Sequence, residues 1–233
     1  MSKKLKIYVG WDSREDIAWQ VCHHSIQRHM SGDVEVYPLK QPTLRELGLY
    51  SRDTDNATTE FSITRFLTPY LAAYDGWSIF VDCDFLISRD ITEIFDLLDD
   101  EKALYCVHHD YIPANEIKMD GKAQSVYPRK NWSSFMAFNG AHRDVKALTP
   151  QVVNSEGPAY LHRFTWTDDA NIGELPLEWN FLEGEYPKPT DRPICVHFTN
   201  GGPWFDDWQN VDFGNEWRAE RDAYLAAQAQ ATE

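Results

Sequence analysis

An apolar run, Trp77-Ser78-Ile79-Phe80-Val81, stops at Asp82-Cys83-Asp84 and resumes as Phe85-Leu86-Ile87. No other feature constrains the fold as tightly. A continuous apolar run of this length reads as a strand buried on both faces, which is the habit of sheets covered by helices. Ending it on two carboxylates is costly, because a buried ionised carboxylate without a partner must be neutralised or given a cation. Side chains two apart in an extended segment point the same way, so Asp82 and Asp84 can converge on one point. Hard divalent cations seek such oxygen pairs. In open α/β sheets, ligands bind at the carboxyl ends of strands.

The chain has 233 residues and a formal net charge of -15. That length suits one domain with a substantial core. A surface this acidic repels polyphosphate backbones, so nucleic acid is a disfavoured partner, whereas the few charges of a nucleotide can be met by one cation and one or two arginines. No segment approaches the roughly 20 apolar residues of a membrane-spanning helix. The four cysteines, Cys22, Cys83, Cys106 and Cys195, form no CxxC pair. They read as reduced, buried thiols, and with the absence of a signal-type h-region they point to a cytoplasmic protein. Aromatic content is 14%, with nine tryptophans. Of these, Trp11, Trp132, Trp166, Trp179 and Trp204 sit beside polar or glycine residues, as expected of surfaces that stack on sugar or base rings.

Periodicity predicts a strand over 4–9, a tight turn at Gly10-Trp11-Asp12, and a helix capped by Ser13 with Ile17, Val21, Cys22 and Ile26 on its apolar stripe. A second strand follows over 34–39, then an irregular or short-helical stretch over 41–56 and a helix over 58–74 kinked or started late by Pro69. Beyond the Asp82 strand come a short helix over 91–98 and a strand over 103–107. This alternation specifies a mainly parallel, layered sheet. In the second half, 113–132 is a long connection of the kind used for binding. Short strands over 135–138 and 194–198 end at Asn139-Gly140 and at Thr199-Asn200-Gly201-Gly202, His197 closing the apolar run of the second, and a terminal helix spans 217–230. His197 precedes Gly201-Gly202, where the lack of Cβ atoms lets backbone N–H groups approach an anion. Two carboxylates and an imidazole leave open positions on Mn²⁺ or Mg²⁺ that suit diphosphate oxygens.

In the same order, Asp82-Cys83-Asp84, Asn139-Gly140, Leu175-Pro176-Leu177-Glu178-Trp179-Asn180 and His197-Phe198-Thr199-Asn200-Gly201-Gly202-Pro203-Trp204 resemble the motifs of the glycogenin-like glycosyltransferases, family eight. The resemblance runs from Ile7 to about Trp204. It implies a GT-A type α/β fold, a Rossmann-like, mainly parallel mixed sheet flanked by helices in a single domain. Residues 1–110 would form the nucleotide-sugar-binding half, and 111–233 the acceptor side with the C-terminal helix. It also implies a nucleotide-sugar donor, usually UDP-linked in that family, and a hydroxyl acceptor, with a saccharide favoured. The reaction would retain anomeric configuration, with Mn²⁺ or Mg²⁺ as cofactor.

Carried over by position, Gly10, Trp11 and Asp12 would lie against base and ribose, Asp82 near ribose and metal, and Asp84 and His197 on the metal. Arg65 would approach the donor sugar or phosphates, with Gly201, Gly202 and Trp204 in the terminal donor motif. Asn139, Asp168 and Asp169 would line the sugar as catalytic groups. Two departures stand out: Gly202 occupies the place of the family's diphosphate-binding lysine, and Thr167-Asp168-Asp169 replaces an Asp-Gln-Asp. Arg65, Arg14, Lys130 or backbone amides are the candidates to replace that lysine, Arg65 being favoured.

The function implied is a metal-dependent hexosyltransferase. Three other readings fit parts of the sequence: a phosphatase of the haloacid dehalogenase type, a non-catalytic carbohydrate-binding protein, and a glycosyltransferase acting on modified DNA bases. The first wants Thr or Val where Leu86 stands, and the last needs a basic groove.

Overall fold

A computed structural model describes residues 4–53, 58–110 and 128–231. A six-stranded sheet forms its centre, in the order β2 (Val34–Leu39), β1 (Leu5–Gly10), β3 (Trp77–Val81), β6 (Phe135–Asn139), β5 (Leu104–Cys106) and β7 (Ile172–Glu174). Pairings β1–β2, β1–β3 and β5–β7 are parallel, and only β6 runs against its neighbours. The mainly parallel mixed sheet expected from the alternating pattern is therefore present. Helix α1 (Asp16–His29) makes the crossover from β1 to β2, as parallel pairing requires. It turns Ala18, Trp19, Val21, Cys22 and Ile26 inward. Pro38 is accommodated in β2 because that strand is at the sheet edge, where a missing N–H breaks no ladder.

All five residues of β3 are buried. Removing side chains such as Phe80 from water contributes about 1.5–3 kcal/mol each, so the strand is held by its own composition. A second, three-stranded sheet has the order β4 (Phe85–Ile87), β9 (Cys195–His197) and β8 (Phe181–Leu182). Leu86, Val196 and Phe198 form a smaller core there with Val21, Phe213 and Trp217. Helix α2 (Gly214–Ala231) docks through Glu220, whose buried carboxylate meets His24 at 2.7 Å and Arg28 at 2.9 Å. Among the described residues no helix is long and apolar enough to cross a membrane. The four cysteines are free and buried.

Several local expectations are corrected. The stretch over 58–74 is not one helix: it folds as turns, a 3-10 segment Thr64–Leu67 and a single helical turn, Thr68–Leu71, begun by Pro69. Ala73 and Tyr74 then adopt left-handed φ of 58° and 53°, which terminates it. Ser13 does not cap α1, because Glu60 from a distant turn takes both its N–H (3.0 Å) and its hydroxyl (2.6 Å). Asp12 caps the preceding 3-10 turn instead, accepting from Arg14 N. The helix expected over 91–98 is a 3-10 segment, Ile91–Asp96. Trp166 and Trp179 belong to the core, not to an exposed stacking surface. Most of the expected 113–132 connection lies outside the described residues.

Candidate cation site

The two sheets meet at the Asp82-Cys83-Asp84 turn, which joins β3 to β4. Asp82 N donates to Ser134 O at 2.9 Å, tying the turn to the start of β6. Phe198 N donates to Asp84 O at 3.0 Å, and Phe85 is paired in register with His197 and stacks on its ring at 4.4 Å. Strand pairing alone therefore brings the imidazole to the acids. The ligand-type atoms of Asp82, Asp84 and His197 lie within 4.8 Å of one another, with His197 Nε2 3.3 Å from Asp84 Oδ2.

The hydrogen-bond network fixes the histidine tautomer. Asn180 Nδ2 donates to Asn131 O (3.1 Å) and Ser134 Oγ (2.9 Å), so its Oδ1 must be the acceptor facing His197 Nδ1 at 2.9 Å. His197 then carries a proton on Nδ1, and its Nε2 faces the Asp84 carboxylate, where either a proton or a cation can lie between them. An Asp-Asp-His donor set with an amide-oriented imidazole is what an oxygen-and-nitrogen-binding divalent cation fits.

Arg65 holds the other carboxylate. Its Nη1 contacts Asp82 Oδ1 at 2.8 Å and Ser133 O at 2.7 Å, its Nε donates to Ser62 O at 3.1 Å, and it packs over Phe61 and Phe80. It is thus a buried partner of Asp82, committed before any ligand arrives. Arg14 is likewise taken up by Asp12 and Thr58 O. Lys130 is only 7% exposed, in a turn whose neighbours Arg129 and Asn131 adopt left-handed φ of 61° and 63°. Such backbone costs about 1–3 kcal/mol per residue and persists where surrounding structure enforces it. Asn131 in the same turn donates to Thr199 Oγ1 at 3.1 Å, next to the His197 strand.

Other expected site residues sit differently. Asn139 is corrected. Because β6 is antiparallel to β3, Asn139 pairs with Trp77 at the far end of the sheet, four positions or about 14 Å from the Val81–Phe135 pair. Its buried side chain caps backbone groups of Asp100, Lys102 and Ala141. The start of β6, not its end, faces the acids. Asp12 is fully buried, its oxygens accepting from Arg14 and Glu60 N, so it closes the loop after β1 and is not open to a base.

Gly10 lies where a Cβ would meet the Phe61 ring at 2.5 Å, and Trp11 donates to Asp16 with Lys40 over its ring. A Cβ on Gly202 would fall 1.9 Å from the Trp204 ring, and Gly201 has φ of 137° under Trp208. These two glycines accommodate indoles. Trp204 itself packs against Phe198 and Trp217. Asp168 and Asp169 are exposed on the turn entering β7, Asp169 pairing with Arg129. They are not part of the Asp82, Asp84 and His197 cluster.

Two further residues shape the site without a sequence pattern that marks their role. Asn180 closes the Leu-Pro-Leu-Glu-Trp-Asn motif, and a lone amide at a buried motif end was the available signal. Glu15 is 2% exposed, and its Oε2 has no hydrogen-bond partner among the described residues. Burial first, then the Asp84 and Asp12 carboxylates, raise its pKa to about 8. No pattern in sequence marks it, since it stands in an ordinary charged stretch.

Buried ionisable groups set a pH optimum for stability. Burial lowers His109 to about 3, and burial followed by Arg65 lowers His162 to about 3. In the unfolded chain these histidines titrate near 6.5, so it binds more protons below that pH. Stability is then lost as pH falls from about 6.5 toward 3. Glu15 has the opposite sign: protonated when folded, it loses its contribution as pH rises from about 4.5 through 8. Each group gives a slope of at most about 1.4 kcal/mol per pH unit. Melting temperatures in chelator-containing buffer are expected to peak near pH 6.5. Glu15→Gln should flatten the alkaline arm and leave the acid arm; an unchanged alkaline arm would contradict the assignment.

No protein-family model matches the chain. Among solved structures it superposes on the WbbM bifunctional glycosyltransferase, with a TM-score of 0.64 and 14% identity over 95% of this chain and 50% of that one. The glycosyltransferase GlyE of Streptococcus pneumoniae TIGR4 gives 0.63 and 12%, over 99% and 64%. The galactosyltransferase LgtC, solved with donor and acceptor sugar analogs, gives 0.57 and 11%, over 94% and 95%. The chain thus spans about half of the WbbM chain and 64% of the GlyE chain. At these identities the likeness is one of fold, and the fold is that of the GT-A glycosyltransferases. Protein CDI of Arabidopsis thaliana is 51% identical over 227 residues, covering 95% of this chain and 88% of the relative. On that identity and coverage the chain belongs to the family of Protein CDI.

Proposed function

We propose that the protein is a metal-dependent glycosyltransferase of the family-eight type, moving a hexose from a nucleotide diphosphate, UDP-linked by preference, to a saccharide hydroxyl with retention. The observation that carries this reading is the Asp82, Asp84 and His197 cluster, with His197 Nε2 3.3 Å from an Asp84 carboxylate oxygen, on a GT-A fold. A bound Mn²⁺ or Mg²⁺ would supply Lewis-acid stabilisation of the charge that grows on the departing diphosphate. Asp82, Asp84 and His197 would hold it. Asn180 holds His197 through Nδ1 so that Nε2 faces the acids, and Arg65 holds Asp82 in place. Asp168 and Asp169, on a turn fixed through Asp144 contacts to Thr167 and Asn171, are the proposed partners of the sugar ring. Residues 1–110 serve the donor, and 111–233 the acceptor. A thermal-shift screen of UDP-, GDP- and CDP-sugars with and without Mn²⁺ tests the reading. Stabilisation by a donor only when metal is present is expected, and none with any donor would contradict it.

Asn180→Ala is expected to weaken Mn²⁺ binding 10- to 100-fold, the usual consequence of removing the group that orients a ligating histidine. Mn²⁺ titration followed by electron paramagnetic resonance checks it, and wild-type affinity would remove Asn180 from the site.

We assign Lys130, buried in the turn whose Asn131 reaches Thr199 beside the His197 strand, to the diphosphate. Lys130→Met is expected to weaken UDP binding roughly 10- to 100-fold, the worth of a charge-assisted hydrogen bond, and to leave uridine binding unchanged. Equal losses for the two ligands by calorimetry would sink the assignment.

A further inference from the structure

We propose that the connection between β4 and β5 presents a docking surface for a basic amphipathic segment of a partner protein, at the end of the central sheet opposite the cation site. Its apolar part is the pair Phe95 and Leu97, which are 38% and 40% exposed. Single exposed apolar side chains are ordinary on a protein surface and carry no meaning. Tyr37, Leu47, Tyr70, Leu177 and Leu225 are isolated in sequence and of that kind, whereas Phe95 and Leu97 are neighbours, with half-buried Leu98 beside them.

The surroundings of this pair are acidic. Residues 93–101 carry five exposed carboxylates, Glu93, Asp96, Asp99, Asp100 and Glu101, and no Lys, Arg or His. None of the five has an ion-pair partner among the described residues: Asp99 accepts from Glu101 N and Asp100 from Trp77 Nε1, each at 2.9 Å from an uncharged donor. The cations that border the segment are engaged elsewhere. Lys102 Nζ donates to Ala170 O at 2.8 Å, Arg89 is paired with Glu178, and Arg28, on the helix whose end reaches Thr92 through Ser31, is paired with Glu220. Arg192 lies in the field of Glu216 and Glu220, and burial, then Arg28, lowers the pKa of His29, which adds no fixed charge. A helix with Leu along one face and Lys or Arg flanking it covers the apolar pair and neutralises the acids together. An acidic partner would meet like charge, and a neutral one would desolvate carboxylates without a counter-ion.

The surface is ordered before a partner arrives. Ile91 and Ile94 are fully buried, Asp90 caps Thr92 N at 2.9 Å, and Asp99 N donates to the Tyr105 hydroxyl at 3.1 Å. A preorganised surface avoids part of the entropy cost of binding. Both flanks of the segment sit where strands begin. Asn139 Nδ2 holds Asp100 O and Lys102 O, and Asn139 pairs with Trp77, the first residue of β3, whereas the cation-site acids follow its last. Thr92 meets Ser31, close in sequence to Asp33, whose carbonyl accepts from Leu5 N at the start of β1. A partner docked here leaves the cation site open, so the surface suits recruitment of the protein to a basic partner.

Fluorescence anisotropy on the full chain tests this with two labelled synthetic peptides: a Leu/Lys peptide of amphipathic helical pattern, and a peptide of equal length and charge in which every Leu is Ser. The Leu/Lys peptide is expected to bind roughly tenfold more tightly than the Ser/Lys peptide. Phe95→Ser with Leu97→Ser should weaken the Leu/Lys peptide roughly tenfold and leave the Ser/Lys peptide unchanged, while Asp96→Lys with Glu101→Lys should weaken both. Glu46→Lys with Asp222→Lys, at exposed acids elsewhere on the surface, changes net charge by the same amount and should leave Leu/Lys binding close to wild type. All six positions are exposed, so the melting temperatures should stay near wild type. Binding of neither peptide, equal affinity for both, wild-type affinity in the Phe95→Ser, Leu97→Ser protein, or an equal loss in the Glu46→Lys, Asp222→Lys protein would overturn the proposal.

Discussion

Asp84→Asn is expected to lower Mn²⁺-dependent release of UDP from a donor sugar by about 10² to 10³-fold, the loss seen when one preorganised electrostatic group is removed. The substitution keeps side-chain shape and the backbone bond from Phe198 N to Asp84 O, so strand β4 and the His197 register survive. What it removes is the negative charge 3.3 Å from His197 Nε2. An amide oxygen is a weaker ligand for a hard cation than a carboxylate oxygen. Mn²⁺ affinity should therefore fall with turnover, while the melting temperature of the metal-free protein stays close to wild type. A large loss of stability instead would mean that Asp84 serves the fold. Unchanged turnover would exclude it from the site.

Arg65→Leu is expected to cost about 3–5 kcal/mol of stability, because it strands a carboxylate that the fold has taken out of water. Arg65 and Asp82 side chains are 7% and 14% exposed, and their contact is 2.8 Å. Two further hydrogen bonds, to Ser133 O and Ser62 O, disappear with the guanidinium. For a chain of this size the melting temperature should drop on the order of 10 °C. Adding Asp82→Asn to Arg65→Leu should recover part of that loss, since the uncompensated charge is then gone. A single mutant as stable as wild type, or a double mutant losing the full sum of both, would show that the pair is not the source of the effect.

The sheet and the meeting of Asp82, Asp84 and His197 were legible because both depend on backbone pattern. The apolar run before Asp82 had to be a buried strand, and side-chain alternation then set both acids on one side. His197 was legible for the same reason, as a strand-end residue. Strand direction was not legible. Residues 135–139 carry the same apolar composition whichever way they run, and the antiparallel pairing of β6 sends Asn139 to the wrong end of the sheet. Arg65 looked like a ligand-facing cation because sequence cannot show that a carboxylate from another strand neutralises it. The helix expected over 58–74 failed because Phe61, Arg65 and Phe66 are held by tertiary contacts that override local propensity. Gly202 was read as room for an anion, and the room is filled by Trp204.

Crystals soaked with Mn²⁺ and UDP, recorded at the manganese edge, would test the central claim most directly. The account predicts one anomalous peak within ligating reach of Asp82, Asp84 and His197 Nε2, with the UDP diphosphate against it. A peak elsewhere, or nucleotide bound with no manganese at these side chains, would contradict it.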